Sequence, residues 1–231
     1  MVPMVTFERN LTGTCDSVNS SNKYLVLRYR LVSLHMRNPE ATRNIILKKS
    51  GVLFNTQGYQ ATSISDITSA TGFTKGAIYR HFVNKDELEM ETLRHLSTIM
   101  FDNFRKRIVA QKTAGEKLRA IFNFFESYIT DPPIKGGCPL LNSAIESDDA
   151  NPALRKASLD MLAVFRETLE NILAKGVKYK QIKAGIDKGM FATLVIAGLE
   201  GAIMMSKLEG NNTDIRRMLK MLDKQLSEIE R

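Results

Sequence analysis

The sequence holds no tryptophan, only two cysteines and only three histidines among its 231 residues. Cys15 and Cys138 are too few and too far apart for a zinc site or a disulfide framework, so a reducing cytoplasm is the expected compartment. His35, His81 and His95 have no useful helical spacing with a carboxylate pair. There is no phosphate loop, no cysteine with a plausible base nearby in sequence, and the acidic pair Asp148-Asp149 falls at a helix boundary. These gaps argue against an enzyme and leave no cofactor to expect. The longest apolar stretch, Met190 to Met205, is interrupted by Thr193, Gly198, Glu200 and Gly201 and falls short of the roughly 20 residues of a membrane span. It reads as a buried helix, with no membrane partner.

What the chain does have is an ordinary globular balance, 43% hydrophobic and 25% charged residues. Its excess is positive: 33 Lys plus Arg against 25 Asp plus Glu, a net charge of +8. Nucleic acid or an anionic surface is the implied partner. The excess is also local, because residues 37–85 hold seven basic and two acidic residues while residues 86–231 hold 22 and 21. Residues 1–36 carry little periodicity. They are expected to be disordered or an upstream extension, with Lys23, Arg28 and Arg30 as a basic arm and translation starting at Met36.

From Pro39 onward the signals are helical and no run alternates like a strand, so the fold class is all-α. Pro39 suits a first turn, Ile45, Ile46, Val52, Leu53 and Phe54 form an apolar stripe, and Gly58 ends helix one. Thr62 or Ser63 caps a two-turn second helix that buries Ile64 and Ile67 and stops at Gly72. Thr74 opens a third, with Ile78 and Phe82 on one face and polar groups elsewhere. Asn84 and Glu87, at capping-box spacing, start a long fourth helix with Leu88, Leu93, Leu96, Met100, Phe101 and Phe104 inward.

Two short helices joined by a tight glycine turn, the second polar outward and set in the basic block, form the arrangement of a helix-turn-helix DNA reader. The run Gly58-Tyr59-Gln60-Ala61-Thr62-Ser63-Ile64-Ser65-Asp66-Ile67, then Ala70 to Phe82, then Asn84-Lys85-Asp86-Glu87-Leu88 resembles the N-terminal domain of the TetR family of transcriptional regulators. Where that family usually has alanine this chain has Thr68, whose hydroxyl is expected to bond back to the carbonyl of Ile64. The resemblance implies a DNA-binding domain over residues 37–85 and a helical effector-binding and dimerisation domain over 86–231. It places Thr74, Lys75, Gly76, Ala77, Tyr79, Arg80 and His81 at the major groove or its flanking phosphates. Ser63 and Ser65 at the start of helix two and Lys85 at the start of helix four are expected to clamp phosphates at helix N-termini.

In the body, Thr113 and Glu116 form a second capping-box spacing before Leu118, Ile121, Phe122, Phe125 and Ile129. Gly136-Gly137-Cys138-Pro139 leads into a short helix, and Asn151-Pro152 starts one running to about Lys178. Asp187 to Leu208 and Thr213 to Ile229 complete the chain. The resemblance implies that these last two helices pair with a second copy in a four-helix bundle, with Ala197, Gly198, Gly201, Ala202, Met218, Leu222 and Leu226 at the interface. Phe101, Phe104, Phe122, Phe125, Tyr128, Met161 and Phe165, with polar contacts from Asn142, Glu146 and Asp148, are the candidate pocket for an unidentified small-molecule effector. Filling the core is the simpler role for these rings, and a buried inert thiol is the simpler role for Cys138 than an oxidant sensor. The expected protein is a ligand-responsive repressor acting as a homodimer on palindromic double-stranded operator DNA. Two other readings are a helix-turn-helix protein of low DNA specificity in a nucleoid-type role and a helical enzyme.

Overall fold

The computed structural model describes residues 38–128, 130–147 and 151–231. The expectations for residues 1–36, the start at Met36, Ile129 and Asp148 lie outside them. The described residues are helical, with no strand beyond one isolated antiparallel bridge between Ile182 and Glu230. The helices are α1 (Pro39–Gln57), α2 (Ile64–Thr71), α3 (Lys75–Ile78), α4 (Lys85–Val109), α5 (Ala114–Glu126), α6 (Pro139–Ser147), α7 (Pro152–Lys178), α8 (Lys188–Glu209) and α9 (Thr213–Ile229). By its contacts the chain divides into Met1–Thr42 and Arg43–Arg231. In the first unit, the Asn38 side chain accepts from the N–H groups of Glu40 and Ala41, each at 3.1 Å, and caps the first turn of α1.

Side-chain caps set most helix starts. Ser63 closes a full capping box with Asp66, and Thr113 closes one with Glu116. In both, the bonds to the cap residue hold the carboxyl below its ordinary pKa. Thr74, Asn151 and Asp187 each accept from an N–H of the following first turn. The box expected at Asn84 is only half formed. Asn84 accepts from Glu87 N–H at 2.8 Å, but the Glu87 carboxylate takes the N–H of Val83, one residue upstream. Gly72, at φ +75, ends α2 and donates to Thr68 O; only glycine takes this backbone without strain. The Thr68 hydroxyl bonds to Ser65 O at 2.8 Å, three residues back, and not to Ile64 O.

The second unit shares one hydrophobic cluster running from Ile46 through Phe54, Ile67, Ile78 and Phe82 to Leu222 and Leu226. α4 packs against α5, α6 and α7, α7 against α5 and α8, and α9 against α8 and α5. In the middle of the body Phe104 meets Phe124 at 4.9 Å, Phe165 at 5.2 Å, Phe101 at 5.6 Å and Phe125 at 5.7 Å. The Phe165 pair is tilted and the other three are edge-to-face, arrangements that fill space well. Phe124 joins this layer where Phe122 was expected, since two residues of helix turn the side chain through about 200°. At 22 residues, α8 is longer than its apolar stretch implies, and by length and composition it is the one described helix able to cross a membrane. Half of its most apolar window is buried inside the protein, as in the core helix of a globular body.

Candidate DNA-binding surface and associated sites

The candidate reading face is built on two caps and a glycine. Ser63 and Thr74 fix the starts of α2 and α3, Gly72 turns the chain between them, and Ile67, Phe73 and Ile78 anchor both helices in the core. α3 is a single turn, continued by hydrogen-bonded turns in which Tyr79 N–H donates to Lys75 O and His81 N–H to Ile78 O. A shallow groove between the two helices is lined by Ser65, Thr68, Gly72, Phe73 and Lys75, among others.

Ser63, Ser65, Thr74, Lys75, Gly76, Tyr79 and Arg80 are exposed, and Ala77 and His81 are half-buried. The Lys75 ammonium lies over the Tyr79 ring, 5.9 Å from its centroid. A Cβ built on Gly76 would meet nothing within 4 Å. The fold's own packing therefore does not require glycine there. The Ser63 and Thr74 hydroxyls are already engaged in capping, which leaves them less free for phosphate than the sequence suggests.

Lys85 departs from expectation. Its Nζ donates to Tyr59 O at 2.7 Å and pairs with Glu89 Oε1 at 3.1 Å. Burial pushes the Glu89 carboxyl above its ordinary pKa, with Lys85 and then Asn151 opposing. Arg43 is likewise spent, its guanidinium on Glu91 at 2.7 Å and over the Phe82 ring. Part of the basic block thus binds the head to α4, while Lys48, Lys49, Lys75 and Arg80 remain exposed without an ion pair among the described residues.

Asn142 and Glu146 turn away from the aromatic layer to a junction with α1. Asn142 Nδ2 donates to Asn55 Oδ1 at 2.9 Å, and Asn55 Nδ2 donates to Lys135 O at 2.9 Å and Gly137 O at 2.8 Å. Gln60 N–H donates to Glu146 Oε2 at 3.0 Å, just before α2. Gly136, at φ +106, packs so closely that a Cβ would lie 2.1 Å from Asn55 O. None of this contact is local, so no sequence signal announced it.

Deeper in the body, Cys138 Sγ donates to Glu200 Oε1 at 2.9 Å. Burial, with Glu200 second, drives the thiol well above its usual pKa, which keeps it a poor nucleophile. Burial also raises Glu200 to about 7, against the pull of the Cys138 bond. The other Glu200 oxygen and the Tyr128 hydroxyl have no hydrogen-bond partner among the described residues.

On the last two helices the expected interface is redistributed. Ala202, Leu222 and Leu226 are buried in the chain's own core, and Gly198 admits the Met218 sulfur. The outward stripe is Leu194, Ala197, Gly201, Met204, Met205 and Leu208, joined by Met221 of α9. Leu208 is 82% exposed. A contiguous apolar face of this kind marks an interaction surface.

The signature described as "Bacterial regulatory proteins, tetR family" matches residues 46–89, and that described as "Tetracyclin repressor-like, C-terminal domain" matches residues 114–222. The crystal structure of a TetR transcriptional regulator from Chloroflexus aurantiacus J-10-FL is 34% identical, covering 84% of this chain and 98% of that one, with a TM-score of 0.80. A TetR-family transcriptional regulator from Cytophaga hutchinsonii is 29% identical over 83% of this chain and 96% of its own, with a TM-score of 0.76. The HTH-type transcriptional repressor DhaR of Mycobacterium sp. (strain GP1) is 23% identical over 180 residues, 77% of this chain and 88% of that protein.

Proposed function

The chain belongs to the TetR family of bacterial regulatory proteins and is a DNA-binding transcriptional regulator, not an enzyme; on that premise we propose that it is a homodimeric repressor released from a palindromic operator by a small molecule. The proposed division of labour follows the sequence, with residues 37–85 reading DNA and residues 86–231 pairing and sensing. The observation that carries this reading is that one chain bears two unpartnered surfaces of opposite character. One is the polar face of α2 and α3 around Gly76; the other is the apolar stripe of α8. A twofold pairing of the stripe presents two copies of α3 to successive major grooves, about 34 Å apart. The relative from Mycobacterium is named a repressor, which supports that sign of regulation. The protein acts in the cytoplasm, where its DNA is.

Selection of bound sequences from a random DNA pool tests the reading directly. Inverted half-sites one helical turn apart are expected; absence of any enriched, symmetric sequence counts against it. On the selected site, Lys75→Ala is expected to weaken binding about tenfold, a cost of ~1.4 kcal/mol, with an unchanged thermal melt. Parental affinity in that variant would remove α3 as the reader.

A further inference from the structure

At the end of the body where α4 finishes and α5 begins, a cleft of about 290 Å³ opens between α4, α5, α7 and the segment that follows α7. Ile108, Ala114, Ile172 and Gly176 form its apolar wall, and three basic residues, Lys112, Lys117 and Lys175, line it as well. No carboxylate lines it, and none of the three lysines has an ion pair among the described residues. Gln181 is fixed at the edge because its Oε1 accepts from Ala114 N–H at 2.8 Å, which leaves its amide N–H groups as donors. The acid nearest in sequence, Glu116, is occupied with the N–H groups of Lys112 and Thr113.

We infer that this cleft binds a small organic anion, an apolar stem ending in a carboxylate, whose charged end lies among the three lysines and whose stem lies on Ile108 and Ile172. Its volume is at the lower end of ligand pockets. Three cationic side chains on one cleft with no lining carboxylate favour an anion over a neutral or cationic ligand. The stem has somewhere to go. Ile108 lies four residues beyond Phe104 on α4, and Ile172 seven residues beyond Phe165 on α7, so the wall continues the face of the aromatic layer.

The cleft is also placed to be felt by the head. Ile108 is close to one end of α4, while Lys85 and Glu89, near the other end, hold Tyr59 and the start of α7. A 25-residue helix is roughly 37 Å long and stiff enough to carry a displacement between its ends. The regulatory part of this inference rests on the ligand-responsive reading proposed above; the binding part does not.

The test is calorimetric titration of the full chain with 4-phenylbutyrate, 4-phenylbutan-1-ol and 4-phenylbutylamine, which share one stem and differ in charge. The carboxylate is expected to bind at least about tenfold tighter than the alcohol, and the amine not at all. The double variant Lys117→Gln/Lys175→Gln, at one half-buried and one exposed position without an ion pair among the described residues, is expected to lose about tenfold for the carboxylate with an unchanged melt and unchanged alcohol binding. Equal affinity for the alcohol, no carboxylate binding at millimolar concentration, or parental affinity in the double variant each overturn the site. Operator binding measured with the carboxylate separates the two readings. Weakened binding supports both; lysine-dependent binding with unchanged operator affinity keeps the site and rejects this ligand as the releasing signal.

Discussion

Glu200→Gln is expected to leave the protein about 3 kcal/mol more stable than the parent at pH 8.5 and to bring the two within about 1 kcal/mol at pH 5. The carboxyl sits in the core with one oxygen on Cys138 and the other without a hydrogen-bond partner among the described residues, and burial raises its pKa from the ordinary 4.5 to about 7. Folding therefore favours the protonated acid. The stability that goes with it is fully present below about pH 4.5, where folded and unfolded chains are both protonated. It is lost as pH rises through about 7, where the folded chain must hold a buried anion or give up the fold. Glutamine has the same shape, still accepts from the thiol and does not titrate. The groups that face Glu200, Cys138 and Tyr128, both have raised pKa values and stay neutral across this window. Guanidinium unfolding at pH 5, 7 and 8.5 measures the effect; a parent and variant with parallel pH slopes would locate the titrating group elsewhere.

Gly136→Ala should be costly for a different reason. The glycine has φ +106, which a side chain resists by about 1–2 kcal/mol, and its Cβ would lie 2.1 Å from the carbonyl oxygen of Asn55. Backbone stands on both sides of that overlap, so relief requires α1 and the 135–138 segment to separate. Adding about 1–3 kcal/mol for overpacking gives an expected loss of about 3 kcal/mol in all. Gly185 is the control, with φ +84 and nothing within 4 Å of a built Cβ. Its alanine variant should lose only the backbone part. Thermal melts of the two variants side by side measure the contact alone, and equal losses would mean that the junction yields.

What was legible in the sequence was what is local. Ser63, Thr74, Thr113, Asn151 and Asp187 each announce a helix start within a few residues, and the structure uses all five as side-chain caps. The helix-turn-helix spacing is local too, and it led to the family. What could not be read was where long side chains go once distant elements meet. Lys85 stands at a helix N-terminus and looks like a phosphate clamp until Tyr59 and Glu89 are seen beside it. Asn142 and Glu146 look like pocket residues until α6 is laid against the end of α1. The stripe on α9 carried the same ambiguity. Leu222 and Leu226 are apolar and suitably spaced for a partner, yet the chain's own core takes them and leaves the methionines of α8 outside.

The ties between the reading helices and the rest of the chain also bear on how such a regulator is re-engineered. Arg43 to Glu91, Lys85 to Glu89, Asn55 to the 135–137 segment and Gln60 to Glu146 all cross the boundary at which one would cut to exchange a DNA-binding cassette. A transplant of residues 37–85 into another body severs every one of them and leaves buried polar groups to find new partners. Lys75, Gly76, Ala77 and Tyr79 make no such tie across the boundary, so on the reading proposed above side chains grafted at those four positions disturb the scaffold less than a domain swap does.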